Sequence, residues 1–340
     1  MRIVDGSIGT KDGVVAALGV FDGVHIGHQA LFRKTRAESE RLGIPAVAVT
    51  FHPHPRTLLG GHQCSITLLT PPPEKMALIE DLGLDYFWQI SFTNELANTS
   101  PEEFVGRYLV DILQVRHVVC GFNFSFGKGG KGSPALLERL GQEYGFSVSV
   151  VPPIRVRGEV VSSTKIRRDL EAGKVDEARE CLGRPYCLWG IVERGDGRGK
   201  TIGIPTSNVD LGPEKALPAN GVYSALVRAS FVGETGERRL VERSAVVNVG
   251  TRPTFRGKDT RVEVHIPGFS GNLYGERIQV FLVRRIRDER AFSGADELRS
   301  QVAKDILAVS EMPLLGSGSG QEASFTVPRA YDRMLSPDVP

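Results

Sequence analysis

The chain has 340 residues, 41% hydrophobic and 24% charged, and its 42 basic and 40 acidic side chains leave a formal net charge of +2. Wholesale disorder and collagen-like repeats are excluded by this composition, and the balanced charge gives no electrostatic footprint for wrapping a nucleic-acid polymer. The length predicts two domains rather than one.

In chain order, the first half alternates apolar runs with helical patterns. Val14 to Val20 reads as a strand, His28 to Leu42 as a helix, Ala46 to Phe51 as a strand, Glu74 to Leu82 as a helix and Tyr86 to Ile90 as a strand. Ser100-Pro101-Glu102-Glu103 opens a helix as a capping box with Pro at its first position. Val115 to Cys120, Ser133 to Tyr144 and Phe146 to Val151 then supply strand, helix and strand. The alternation predicts an α/β domain with a parallel sheet covered on both faces, and ligand loops after Val20, Phe51 and Cys120. After about Gly183 the runs Leu188 to Val192, Val222 to Val227, Ser244 to Val249, Val262 to Ile266 and Ile278 to Val283 are strand-like, and Asp296 to Leu307 is helical. That order predicts a small antiparallel β-barrel with a C-terminal helix, and a hairpin turn at Glu234-Thr235-Gly236-Glu237. The expected domains are residues 1–183 and 184–310. Residues 311–340, with Gly316-Ser317-Gly318-Ser319-Gly320 and several prolines, read as a flexible tail.

Cys64, Cys120, Cys181 and Cys187 form no CxxC pair and no Cys/His cluster, which argues against structural zinc and a disulfide framework and for a reducing, cytoplasmic setting. MRIVDGSIGTKDG lacks the layout of a signal peptide, and no apolar run approaches the ~20 residues of a membrane span, so no membrane partner is expected.

The first strand runs into Phe21-Asp22-Gly23-Val24-His25-Ile26-Gly27-His28 and a helix. Two histidines flanking Gly27 at a helix N-terminus suit a phosphate, because free backbone N–H groups and the dipole favour an anion and the imidazoles add donors. An isolated HxGH is more often two surface histidines, but three later stretches shift the balance. Thr50-Phe51-His52-Pro53-His54-Pro55 is a rigid loop after the second strand. Gly121-Phe122-Asn123-Phe124-Ser125-Phe126-Gly127 leads into a Gly/Lys-rich run suited to an anion, and its phenylalanines suit either a flat apolar ring or loop anchoring. Ser162-Ser163-Thr164-Lys165-Ile166-Arg167 brings hydroxyls and a guanidinium to another helix start.

FDGVHIGHQ, TFHPHP, GFNFSFG and SSTKIR, in this order, resemble the N-terminal adenylyltransferase module of bacterial bifunctional FAD synthetases, which couple riboflavin kinase to FMN adenylyltransferase in one chain. The resemblance implies a Rossmann-like nucleotidyltransferase domain. In it His25, His28 and Arg167 are catalytic, Gly23, Gly27, Asn123, Ser163 and Thr164 bind ATP phosphates, and Phe122, Phe124 and Phe126 hold the flavin. Asn123 stands where many members carry Asp, and lacks its charge.

The second half has no GxxxxGK[ST]. It has Gly190-Ile191-Val192-Glu193-Arg194-Gly195-Asp196-Gly197-Arg198-Gly199-Lys200, a Gly-rich stretch that suits a phosphate lid or an ordinary mobile loop. Pro205-Thr206-Ser207-Asn208 follows, whose hydroxyl and amide oxygens suit Mg²⁺. GKTIGIPTSN, PANGVYSA, VVNVGTRPTF and VEVHI resemble the riboflavin kinase module of the same family. This implies ATP contacts at Gly195, Arg198, Lys200 and Asn208, Mg²⁺ at Thr206 and Asn208, a base at Glu263 and a flavin contact at Arg287. Lys200 replaces Arg, Ile204 replaces Phe and Ser207 replaces Ala in the family pattern, and Pro267 to Asn272 lacks the acids found before LYG. The implied activity is ATP-dependent phosphorylation of riboflavin to FMN, then adenylylation of FMN to FAD, with small-molecule partners only. The missing acids leave open an alternative, an adenylyltransferase whose barrel is a flavin-binding platform.

Overall fold

The computed structural model describes residues 1–4, 12–60, 66–195, 203–233, 236–254, 257–310 and 327–335. They fall into two compact units, Met1–Ser163 and Thr164–Pro340.

The first unit contains β1 (Arg2–Ile3), β2 (Val14–Leu18), α1 (Ile26–Leu42), β3 (Ala46–His52), α2 (Pro55–Leu59), α3 (Pro72–Asp81), β4 (Tyr86–Ser91), α4 (Asn94–Asn98), α5 (Pro101–Phe104), β5 (Val115–Gly121), α6 (Pro134–Tyr144), β6 (Ser147–Val151) and the short β7 (Arg155–Val156) and β8 (Glu159–Val160). Strands β1 to β6 form one sheet in the order β1-β4-β3-β2-β5-β6, and every pairing is parallel. Every residue of β2 is buried, as expected of a central strand covered on both faces. Ser100 caps α5 by accepting a 3.1 Å hydrogen bond from the Glu103 amide, and the helix continues as a π-helix over Val105–Ile112. From β2 the chain moves outward through β3 to β4, then returns to β5 on the other side of β2. The topological switch point therefore lies between β2 and β5, where the loops leaving both strands open onto one crevice.

The second unit contains α7 (Ser163–Glu171), whose first residue closes the first unit, then α8 (Val175–Leu182), β9 (Tyr186–Glu193), β10 (Ser207–Asp210), β11 (Gly221–Val232), β12 (Arg238–Thr254), β13 (Gly257–His265), β14 (Arg277–Arg287), α9 (Ala295–Ser310) and α10 (Ala330–Met334). Strands β9 to β14 close into a barrel, β10-β13-β12-β11-β14-β9, antiparallel throughout. Strand β10 is absent from the sequence reading because SNVD holds one apolar residue and shows no alternation. Val192, Val209, Val247, Val249, Val262 and Val264 are buried and form the inner face. Outside the barrel, Val309 and Ile306 of α9 pack on Val222 and Val246.

Residues 327–335 correct the expectation of a flexible tail throughout 311–340. Tyr331 is fully buried, sits edge-on to Phe281 with ring centroids 5.0 Å apart, and accepts a hydrogen bond from the Gln279 amide at its carbonyl. Asp332 pairs with Arg228 at 2.6 Å. Gly316 to Gly320, and Glu234 and Thr235 of the expected hairpin turn, lie outside the described residues.

Candidate active sites

In the first unit α1 starts at Ile26, two residues earlier than its apolar pattern, because His25 is its N-cap. The His25 backbone is extended and its Nδ1 accepts from the His28 amide at 3.3 Å. Gly27 and His28 therefore lie in the first turn, and the His25 and His28 rings stack with centroids 3.5 Å apart. A Cβ on Gly27 would lie 3.1 Å from the His25 ring, so a side chain here would press on the stack. The preceding turn is strained: Phe21 (φ 55°) and Val24 (φ 41°) are left-handed, at about 1–3 kcal/mol each.

Hydrogen bonds hold that turn. The Asp22 carboxylate accepts from the amides of Leu69 (3.2 Å) and Thr70 (3.0 Å). The Gly23 amide donates to Thr70 Oγ1 at 2.8 Å. Lys75 Nζ and Thr50 Oγ1 both donate to the Val20 carbonyl, at 3.0 and 2.9 Å. Ser163 Oγ donates to the Asp22 carbonyl at 2.8 Å, so the SSTKIR stretch reaches the same turn through this residue. Thr164 is exposed and Arg167 half-buried, on α7.

A cavity of about 450 Å³ opens at the switch point, and its wall includes Gly19, Phe21, His28, His54, Arg56, Asn123, Phe124, Phe126 and Gly127. Phe126 is buried, with its ring 5.6 Å from Phe124 and 5.6 Å from Phe104, so it anchors the loop and Phe124 presents the apolar face. Phe122 is 43% exposed and lies off the cavity wall. The structure thus brings together His28, Asn123, Phe124 and Phe126, and separates Phe122 from them. Arg56 on this wall was not singled out from sequence, and His54 only as part of the TFHPHP loop. His54 caps α2 through Nδ1, 3.1 Å from the Arg56 amide, and capping by His is not a residue-type signal.

In the second unit the barrel register sets the site. Asn208 lies opposite both Glu193 and Glu263, Glu263 lies opposite Asn248, and Asn248 lies opposite Val222. Glu263 alternates with buried Val262 and Val264, so this polar row lies on the outer face and runs toward α9. A Cβ on Gly195 would overlap Asn208 Nδ2, so Gly195 lets the chain close on that amide. His265 Nδ1 contacts the Pro205 carbonyl at 2.8 Å and ties the PTSN turn to β13. Asn248, missed from sequence, is the polar exception in an apolar run, and its amide reaches Glu289 at 3.4 Å.

Arg287 is committed elsewhere. Its guanidinium donates to both oxygens of the buried Asp305 on α9, the shortest contact being 2.7 Å, and Gln301 completes that carboxylate at 2.9 Å. It therefore pins α9 to the barrel. In the loop without acids, Phe269 packs edge-on to Phe231, centroids 5.2 Å apart, so aromatic contact anchors it. Arg198 and Lys200 lie outside the described residues.

Comparison with known proteins follows the same division. The profile described as FAD synthetase matches residues 8–165, and that described as riboflavin kinase matches residues 182–312. The bifunctional riboflavin kinase/FMN adenylyltransferase of Bacillus subtilis (strain 168) is 38% identical over 295 residues, covering 86% of this chain and 90% of the relative. The chain belongs to the bifunctional riboflavin kinase/FMN adenylyltransferase family. The Escherichia coli (strain K12) member is 35% identical over 301 residues, 88% of this chain and 93% of its own. A crystal structure described as a macrolide-efflux protein from Streptococcus pneumoniae superposes with a TM-score of 0.81 at 30% identity, covering 92% of this chain and 99% of that one. The superposition bears on architecture, and the activity in that description belongs to that protein. No helix among the described residues is long and apolar enough to cross a membrane.

Proposed function

We propose that this member of the bifunctional riboflavin kinase/FMN adenylyltransferase family makes FAD in two ATP-dependent reactions, one on each unit. On the barrel, the terminal hydroxyl of riboflavin attacks the γ-phosphorus of ATP, its proton passes to Glu263, and FMN and ADP are formed. On the α/β unit, the FMN phosphate attacks the α-phosphorus of a second ATP, forming FAD and releasing pyrophosphate. No protein nucleophile is needed there. The first turn of α1, with His25 and His28, meets the charge that develops on the leaving pyrophosphate, and Ser163 stands beside that turn. Phe124 and Phe126 offer an apolar wall to the isoalloxazine.

The observation that carries this reading is the cavity at the switch point. The His28 imidazole and the Phe124 ring line one 450 Å³ space, which suits a ligand with a phosphate end and a flat apolar end. In the barrel, the hard oxygens of Thr206 and Asn208 beside Glu263 fit Mg²⁺, which supplies charge neutralisation to the ATP phosphates when bound. A cytoplasmic setting agrees with buried Cys120, Cys181 and Cys187.

The test supplies riboflavin and MgATP and separates the flavins over time. FMN should rise first and FAD should follow. FAD from supplied FMN, with neither product from riboflavin, would leave the adenylyltransferase alone, the outcome that the acid-free loop Pro267 to Asn272 raises. No flavin product from either substrate would overturn both activities.

A further inference from the structure

We infer that Lys75, with Thr50, positions the phosphate turn for adenylyl transfer by clamping the Val20 carbonyl; the inference rests on the adenylyltransferase reading above. Lys75 lies on α3 and is 3% exposed. An apolar residue would satisfy the packing of that helix, and burying an ammonium is costly without a specific partner. Its partner is the Val20 carbonyl, at 3.0 Å, the last carbonyl before the left-handed Phe21. Thr50 Oγ1 of β3 reaches the same oxygen at 2.9 Å.

The countercharge is close by. Burial pushes the Lys75 ammonium toward a lower pKa, and the charge of Asp22 opposes that shift. Asp22 itself is 1% exposed and holds the amides of Leu69 and Thr70. Lys75 thus holds the turn at its first carbonyl, and Asp22 holds it one residue into the bend. A turn with left-handed Phe21 and Val24 relaxes unless its surroundings over-determine it, and α1, with His25 and His28, begins immediately beyond. Lys75 touches no reacting atom in this scheme. It keeps the donors of α1 where the leaving pyrophosphate needs them before ATP arrives.

The experiment compares full-length wild type with Lys75→Met and Thr50→Val. Hydrogen exchange is followed at the Gly23 and Val24 amides, which donate to Thr70 Oγ1 and the Phe21 carbonyl. Flavin kinetics are measured in parallel. In Lys75→Met the two amides should exchange at least tenfold faster, and kcat for FAD formation should fall at least tenfold with KM for FMN within twofold. FMN formation from riboflavin, run by the other unit, should stay within twofold. Thr50→Val should move exchange and kcat in the same direction by about threefold. Exchange or kcat within twofold of wild type in Lys75→Met overturns the inference. If that variant does not fold, an unchanged Thr50→Val overturns it and a shifted one supports it. Wild type that forms no FAD from FMN defeats the adenylyltransferase reading instead, while the exchange rates still decide whether the clamp exists.

Discussion

Asn208 on β10 and Glu263 on β13 are direct register partners, so residues 55 apart in the sequence stand side by side on the outer face of the barrel. In this arrangement a carboxylate able to take a proton lies next to an amide oxygen able to face a nucleotide-bound cation. Glu263→Gln keeps the shape and removes the base. FMN formation from riboflavin should fall by about 10²- to 10⁴-fold, while FAD formation from supplied FMN persists. A Glu263→Gln protein that phosphorylates riboflavin within threefold of wild type would remove Glu263 from the reaction.

Gly195 provides a steric test of the same site. A methyl group at this position would overlap Asn208 Nδ2, so Gly195→Ala should displace the amide. The expected outcome is a KM for ATP in the kinase reaction raised about tenfold, or about 1.4 kcal/mol, with FAD formation from FMN unchanged. Steady-state kinetics with each flavin substrate check this, and an unchanged KM would show that the amide position does not matter.

His28 shares its cavity with Phe124 and belongs to the first turn of α1. Removing the imidazole in His28→Ala should slow FAD formation by about 10²- to 10³-fold, the usual loss for a donor facing developing charge. FMN production in the same preparation is the internal control. Equal losses in both reactions would point to misfolding rather than to a role in transfer.

Buried His117 should make the first unit acid-sensitive. It is 5% exposed, and its two ring nitrogens contact Ser147 Oγ at 2.6 Å and Ser149 Oγ at 2.9 Å. Burial pulls its pKa below the ordinary 6.5; Glu38 opposes that shift, and Lys34 and Arg41 add to it. Because the folded value lies below the unfolded one, its contribution is fully present above about pH 6.5 and is lost as pH falls through the folded value. Urea unfolding of the first unit at pH 7.5 and pH 5 should show a drop that shrinks in His117→Gln. An identical drop in the variant would place the acid sensitivity elsewhere.

Tyr331 tests the docked C-terminal segment. Its ring is fully buried against Phe281, so Tyr331→Ala should cost the barrel about 3 kcal/mol, as large-to-small core changes do. Denaturant unfolding followed at the barrel would read this. A midpoint equal to wild type would mean that the segment contributes nothing to stability.

Much of this was legible from residue order. The alternation of apolar runs and helical spacing in residues 14–151 determines a parallel sheet, because only strands buried on both faces read as continuous apolar runs. Strand-like runs without helices after Gly183 determine an antiparallel barrel. HxGH at a strand-to-helix junction puts its second histidine beside the free amides of a helix start, which are there whatever the rest of the fold does.

Other features depended on chain segments distant in sequence. Phe122, Phe124 and Phe126 look alike in GFNFSFG, yet the loop puts Phe124 and the buried Phe126 on the cavity wall and leaves Phe122 exposed away from it. Arg287 is expected at the flavin from the family pattern, and only the fold shows that α9 brings Asp305 to it. Lys75 lies in a stretch that the sequence marks only as helical, and it is the packing of α3 against the turn after β2 that gives its ammonium the Val20 carbonyl. The tail reads as unstructured because five residues, Ala330–Met334, carry too little local signal to specify a helix, while the outer face of β14 supplies the burial that orders them. Sequence alone determined the two architectures and the residue types their loops carry, since periodicity and helix-end amides are local properties. The tertiary structure decided which side chains meet, which are already paired and which barrel face carries Glu263, since strand register and long-range packing are settled only when the chain folds.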